Sequence, residues 1–328
     1  MKDIMHRLRG GLIPGVTLTL LLVVLPLSGV MPKSWLLYLF LFFVYLAMAN
    51  MWNLLAGYSG LISLCQPAFI GLAGYTLVIC TWSGLPFYIG IIAGAVVAAV
   101  FALLISIPVF RLSGIYFAIG TLVIPEALRI VFFLWRPVGS ELQGGGAGYM
   151  VKDVAWVSKA GGGTGFYWLA LVIGVASIFL MRLILRSKLG LGLASIRDNA
   201  RAAASCGIGV FKLKLYSFVI AAFVTGIAGG IFYVNQGYIE PASAFNIRWT
   251  MIVMLATVIG GMSTEEGPIL GTAIVVFLHF LLARYAGISL LIQGIILVGI
   301  MLIVPQGIMG FFRKTRPYRS LAQLVFGR

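Results

Sequence analysis

Apolar residues arrive along this chain in blocks of roughly twenty, separated by short polar breaks. A block of that length matches a hydrocarbon core about 30 Å thick at about 1.5 Å of rise per helical residue. Ten such blocks can be drawn, at 11–31, 36–57, 60–82, 88–110, 114–135, 166–185, 215–234, 250–262, 269–285 and 290–309. Strand-like alternation is absent, which argues against a β-barrel. The pattern predicts an all-α polytopic membrane protein with about ten (eight to ten) transmembrane helices. The whole of 1–328 reads as one transmembrane domain, with two longer polar interruptions at 136–165 and 186–214. Segments 60–82 and 250–262 are short enough to be broken or re-entrant rather than fully spanning. The basic start (Lys2, Arg7, Arg9) fits a signal peptide, but 11–31 is too long for its apolar region and no A-x-A site follows. A retained first helix is expected there.

Composition agrees with the pattern. Hydrophobic residues make up 61% and charged residues 9%, against roughly 25% charged in soluble domains, so the chain is too poor in charge to cover a water-facing surface. The net charge of +15 gives the orientation. With the N-terminus inside, most Lys and Arg fall in 1–10, 58–59, 111–113, 186–214, 263–268 and 310–328, as the positive-inside rule requires. Both termini and the 186–214 loop are then cytoplasmic, and 136–165 is periplasmic. The basic loops meet anionic membrane lipid. There is no soluble basic domain, so nucleic acid is not an expected partner. The 136–165 loop, with Gly144-Gly145-Gly146 and Gly161-Gly162-Gly163, is expected to be too flexible for a rigid element, with Tyr149 and Trp156 at the membrane interface.

Gly-x-x-x-Gly spacings occur at Gly90/Gly94, Gly226/Gly230 and Gly267/Gly271. Such spacing lets helices approach closely, but in so glycine-rich a chain chance is the simpler reading of each. Cys65, Cys80, Cys206, His6 and His279 form no metal or nucleophilic constellation. No cofactor and no enzyme chemistry are expected.

Within 186–214, the stretch Ser195–Cys206 predicts a short helix, with Ser195 as its N-cap, alanines inside and Gly207 just past its end. Arg197, Arg201 and Ser205 would share one face, and Ile196, Ala200, Ala203 and Ala204 would form a small apolar one. A helix this short is not stable alone in water and needs a partner surface; a solvated or lipid-surface helix is the plainer alternative. Glu126 and Arg129 lie three residues apart near the middle of segment 114–135 and can pair. Charges at that depth are expensive and are expected to face protein or water. They read either as a structural ion pair or as a pathway or gating pair.

The run Arg197-Asp198, Ala202-Ala203 and Gly207-Ile208 resembles the coupling loop of ABC-importer permeases, in particular the branched-chain amino acid (LivM-type) subunit. The resemblance extends along most of the chain. It takes in Gly57-Tyr58-Ser59-Gly60, Ser63-Leu64, Ala68-Phe69, Gly71 and Gly74-Tyr75-Thr76. Arg111, the run from Gly114 to Ala118 and Thr121-Leu122 are similar to a second block, and Gly260-Gly261-Met262, Thr264, Gly267-Pro268 and Gly271 to a third. Pro305-Gln306-Gly307 is similar to the last. Two departures stand out: Leu61 and Cys65-Gln66-Pro67 replace the family's usual Gln-x-Ser-Leu-Gly-His, and Glu265-Glu266 follow Ser263-Thr264 where mostly apolar residues are usual.

The resemblance implies a permease subunit of an ABC importer in a bacterial inner membrane, carrying branched-chain or other small polar amino acids. Its implied partners are a homologous permease subunit, two ATP-binding subunits and a periplasmic substrate-binding protein. The chain has no Gly-x-x-x-x-Gly-Lys-Ser/Thr of its own for ATP. Arg197, Asp198, Arg201, Ala203 and Gly207 are the implied ATPase-coupling residues. Ser63, Gln66, Thr264 and Gly267 join Glu126 and Arg129 as candidate pathway or gating residues. The second to fifth segments start outside and the seventh to tenth start inside, a layout that allows an inverted repeat. Two readings compete: a urea or amide ABC permease subunit, and a proton-coupled secondary carrier acting through Glu126.

Overall fold

The computed structural model describes residues 33–136, 138, 144–152, 164–282, 291, 292, 294–296, 298, 299, 302 and 307–314. Segment 11–31, both termini, Trp156, Pro305 and Gln306 lie outside these residues, as does part of 290–309. The helices are α1 (Lys33–Asn53, continued by a π-helical turn Leu54–Tyr58), α2 (Gln66–Trp82), α3 (Phe87–Val109), α4 (Ile115–Leu134), α5 (Thr164–Arg186), α6 (Lys188–Ser205), α7 (Val210–Gln236), α8 (Pro241–Ala244), α9 (Arg248–Gly260), α10 (Gly267–Leu282) and α11 (Gly307–Lys314). Two short strands, β1 (Tyr149–Met150) and β2 (Tyr238–Ile239), pair antiparallel. Among the described residues six helical stretches are long and apolar enough to cross a membrane: Ser34–Tyr58, Phe87–Val109, Ile115–Leu134, Thr164–Arg186, Val210–Gln236 and Pro241–Gly260. The chain is a multi-pass, all-helical membrane protein, and five of the expected segments coincide with α1, α3, α4, α5 and α7 to within a few residues.

Helix α1 runs through the centre, packed on α5, α7, α9 and α10, and α7 also packs on α2 and α3. Chance does not account for the glycine spacings. Gly94 sits against the Ala73 backbone, Gly226 against Ala95 and Ala98, and Gly271 so near the Ala256 carbonyl that a side chain would overlap it. These are the α2–α3, α3–α7 and α9–α10 crossings. With no hydrophobic force between helices in lipid, such close backbone approach and its van der Waals contact hold the bundle together.

Segment 60–82 is helical only from Gln66, and segment 250–262 is a continuous helix to Gly260 that begins partway through the bundle. After α1 the chain turns back along it as a non-helical stretch, 59–65. The Trp52 indole Nε1–H donates to the Ser63 carbonyl (2.9 Å), and the Leu64 carbonyl accepts from the Thr250 hydroxyl (3.3 Å) beside Trp249, whose ring lies 6.2 Å from Tyr45. The level of Tyr45 lies roughly 20 Å back along α1 from Tyr58 at 1.5 Å per residue. Helix α2 therefore starts in the middle of the bundle. Its first residue, Gln66, accepts a hydrogen bond from Thr225, near the middle of α7 (3.1 Å). On the other side, 237–247 dips in from the end that carries β1 and β2, and α9 starts close to the start of α2. Two half-length helices thus point away from one another, with their amino-terminal ends meeting inside the protein.

The 136–165 expectation needs correction in its described part. Residues 144–152 are held: Tyr149 is buried, pairs with Ile239 across the two strands, and is not at an interface with lipid. The glycines serve close approach rather than flexibility. Gly145 lies on the Phe133 carbonyl and Gly148 on the Ile239 carbonyl, both with positive φ.

Candidate functional site

The described residues gather most of the sequence-derived candidates at two places, one end of the bundle and a cavity at its middle, and leave Ser63 and Gln66 at neither. The first place is built on α6. Ser187, not Ser195, caps it, its hydroxyl accepting from the Leu189 N–H (3.2 Å). The Ser195 hydroxyl donates back to the Leu191 carbonyl (3.1 Å), because the helix had already begun. The expected single face of Arg197, Arg201 and Ser205 does not form either. Asn199 is extended (φ −158°, ψ 103°) and breaks α6 in two. Its Oδ1 accepts from the N–H groups of Arg201 and Ala202, both at 3.1 Å, and so caps the second piece. Asparagine is a strong N-cap residue; that was the legible signal, and the alanine run hid it.

The two pieces do different work. In the first, Arg197 turns inward: its Nη1 donates to the Gly57 carbonyl (3.2 Å), and its Nε and Nη2 donate to Asp198 Oδ1 (3.2 and 3.1 Å). In the second, Arg201 is exposed at the end of the molecule, and Ala203 packs inward. The end of this piece bears out the Gly207 expectation. Gly207 has φ +81°, its N–H donates to the Ala204 carbonyl (3.0 Å), and the Ile208 N–H donates to that of Ala203 (3.1 Å). This pairing satisfies the last carbonyls of a helix and favours glycine.

The Gly57 carbonyl is a junction. It accepts from Arg197 and also from the Ser263 hydroxyl (2.6 Å), so it joins α1, α6 and the 261–266 loop. One turn earlier Asn53, fully buried, clamps the same loop: its Oδ1 accepts from the Ser263 N–H (2.9 Å) and its Nδ2 donates to the Thr264 carbonyl (2.8 Å). Sequence reasoning passed over Asn53, although a lone amide inside an apolar helix is a signal of such a bond. Thr264 and Gly267 belong to this scaffold, the Thr264 hydroxyl accepting from the Gly267 N–H (3.0 Å). Glu265 pairs with Arg182 at the end of α5 (3.7 Å).

Ser63 and Gln66 are buried in the wall between α1, α2 and α7. Ser63 accepts from the Cys65 N–H (3.3 Å). Gln66 Nε2 has no protein hydrogen-bond partner among the described residues.

The second place is a cavity of about 410 Å³ beside α4. Leu64 and Pro67 bound it at the start of α2, and Asn246 and Ile247 at the start of α9. Glu126 and Arg129 line the α4 side and are paired, Arg129 Nε donating to both carboxylate oxygens at 3.0 Å. Pro125 lies inside a helix that runs on past it. The pair is not packed within the chain: the Arg129 and Glu126 side chains remain 38% and 56% exposed. Helix α4 is the least buried of the six spanning stretches.

A family profile described as "Branched-chain amino acid transport system / permease component" matches residues 34–305. Over 304 residues the chain is 28% identical to the high-affinity branched-chain amino acid transport system permease protein LivM of Escherichia coli (strain K12), covering 85% of this chain and 70% of that protein. It is 27% identical over 195 residues to the probable branched-chain amino acid transport permease protein LivM of Methanocaldococcus jannaschii, covering 59% of this chain and 54% of the relative. Over 148 residues it is 29% identical to that organism's probable permease protein LivH, covering 42% and 46%. No solved structure matches.

Proposed function

The chain belongs to the family of branched-chain amino acid transport permease components, and we propose that it is one permease subunit of an ABC importer that carries branched-chain or other small polar amino acids across a bacterial inner membrane. On this reading a homologous permease subunit completes the pathway, two ATP-binding subunits supply the energy, and a periplasmic binding protein delivers the solute.

The observation that carries the reading is the break at Asn199. It leaves a short, separately capped helix exposed at the end of the bundle, while the preceding piece is tied by Arg197 to α1. A helix in that position fits a groove on a partner, the helix-in-groove mode of recognition. Arg201 and Gly207 are then contact and end-stop, and Arg197 passes movement of the helix to Gly57 and the 261–266 loop. The α6 end is the cytoplasmic one; its Arg111, Arg186, Lys188, Arg201, Lys212 and Lys214 support that by the positive-inside rule.

An inverted repeat belongs to the same reading. Helix α3 packs on α2 and α7, and α10 packs on α9 and α1. This exchange of neighbours supports relating α1–α3 to α7, α9 and α10. Interrupted helices in corresponding positions of two repeats are where transporter pathways lie.

The test is reconstitution of the chain with its permease partner, the two ATP-binding subunits and the binding protein in liposomes. ATP-dependent uptake of labelled L-leucine that is lost when the ATP-binding pair is omitted is expected. Uptake by the chain without them, driven by a pH gradient, overturns the reading in favour of a carrier. ATP-driven uptake of urea but of no amino acid moves the substrate class.

A further inference from the structure

The pair on α4 is in an unusual position. A carboxylate and a guanidinium near the middle of a spanning helix are expensive in lipid and face protein or water, yet within this chain they are more than one-third exposed. They open instead onto the 410 Å³ cavity, a volume within the ordinary range of small-molecule sites, about 300–1,000 Å³. The rest of its lining is mainly apolar: Leu122 on α4, Pro67, and Phe245, which is wedged between Tyr75 and Phe132. The amino-terminal ends of α2 and α9 border the same space and add partial positive charge to it.

We propose that this cavity is a contact site for the head group of an amino acid on its way through the importer, an inference that rests on the function proposed above. A zwitterion carries one charge of each sign on adjacent groups, and the site offers the complement at the spacing of an ion pair. The α-carboxylate takes the guanidinium of Arg129, whose planar fork suits it, and the α-ammonium takes the carboxylate of Glu126. The apolar wall of Leu122 and Phe245 takes the side chain. Without solute the two residues satisfy each other, so neither charge is left unpaired at that depth. A passing solute exchanges one ion pair for two.

The experiment uses the assembled transporter in proteoliposomes, with Leu122→Cys or Ala242→Cys as a reporter in a Cys80→Ser, Cys206→Ser background; Cys65 is buried. Both reporter positions line the cavity and are exposed. The rate of modification by a charged methanethiosulfonate reagent is read with and without millimolar L-leucine, 4-methylpentanoate or L-leucinamide. L-leucine is expected to slow modification, while the analogues lacking the ammonium or the carboxylate do not. Adding Glu126→Gln should raise the L-leucine concentration needed for protection by about tenfold or more, the loss expected for one charge-assisted hydrogen bond.

Failure of both reporters to react means that a partner helix fills the cavity, and overturns the proposal. So does reaction without protection, or equal protection by all three compounds. Uptake in the same vesicles separates the two levels: ATP-driven L-leucine uptake without protection sinks this site alone, whereas no amino acid uptake by the full assembly sinks the function on which it rests.

Discussion

Replacing Asn53 by leucine tests whether the loop at the α9–α10 turn is held from inside α1. The amide makes two hydrogen bonds, 2.9 Å to the Ser263 N–H and 2.8 Å to the Thr264 carbonyl, and is fully buried. Asn53→Leu removes both and leaves a backbone donor and acceptor without partners. Each such group costs about 1–3 kcal/mol when buried, about 2–6 kcal/mol for the two. Hydrogen bonds inside a membrane protein measure lower, averaging about 0.6 kcal/mol and reaching about 1.7, which moves the expected loss for the two to roughly 1–3 kcal/mol. Leucine gains little in return, because Gly57 lies directly against the amide and leaves no room for a branch. Asn50→Leu is the control. It loses one bond to the Ser177 hydroxyl (3.0 Å), which keeps its own bond to the Gly174 carbonyl (2.7 Å), so about 1 kcal/mol is expected. Size-exclusion recovery of a detergent-extracted fluorescent fusion after heating reads the difference as a midpoint shift. Asn53→Leu should fall below Asn50→Leu. Equal midpoints, or an Asn53→Leu midpoint at the parent's value, refute the clamp.

Gly207→Leu has open space around it but forces a left-handed backbone at a cost of about 1–2 kcal/mol. It should weaken pull-down of the ATP-binding pair at normal membrane yield, and Gly207→Asn should restore much of it. Arg201→Glu, at an exposed position, should reduce the same pull-down without lowering the thermal midpoint. Arg197→Met loses the bond to Gly57 yet keeps an apolar stem; partner binding should persist while the ATP hydrolysed per solute imported rises. An impermeant maleimide on intact cells should modify Ser83→Cys but not the native, exposed Cys206, in a Cys80→Ser background; inside-out vesicles should reverse the pattern.

The long apolar helices were legible because in lipid length and hydropathy decide nearly everything. The breaks were legible only as a suspicion. Residues 60–65 are apolar enough to pass for helix, and what holds them out of one is tertiary: Trp52 and Thr250 hold carbonyls of the stretch, and Thr121 holds the Leu64 N–H. The Glu126–Arg129 pair followed from its spacing, but its opening onto a cavity depends on two re-entrant stretches far apart in sequence. At α6, alanine-rich propensity argued for one continuous helix, and a single asparagine overrode it by capping from within. The Tyr149 expectation failed for a related reason. Gly-rich sequence cannot say whether glycine is there for freedom or for contact, and here the chain at Gly145 and Gly148 packs where a side chain would not fit.

The non-helical stretch before α2 also constrains how the protein is made. Leu64 is bonded at both backbone groups, its N–H by a residue 57 positions later and its carbonyl by one 186 positions later. At about 5–20 residues per second the ribosome delivers Thr250 roughly 10–40 s after Leu64. Throughout that delay the Leu64 carbonyl would lack this bond if the stretch already lay at depth, where lipid offers no replacement. Helix α9 alone has thirteen residues and rises only about 20 Å, and it reaches spanning length only together with 241–247 before it. The final seating of 59–65 is then expected to follow synthesis of Thr250, so that biogenesis of the first half waits on translation of the second.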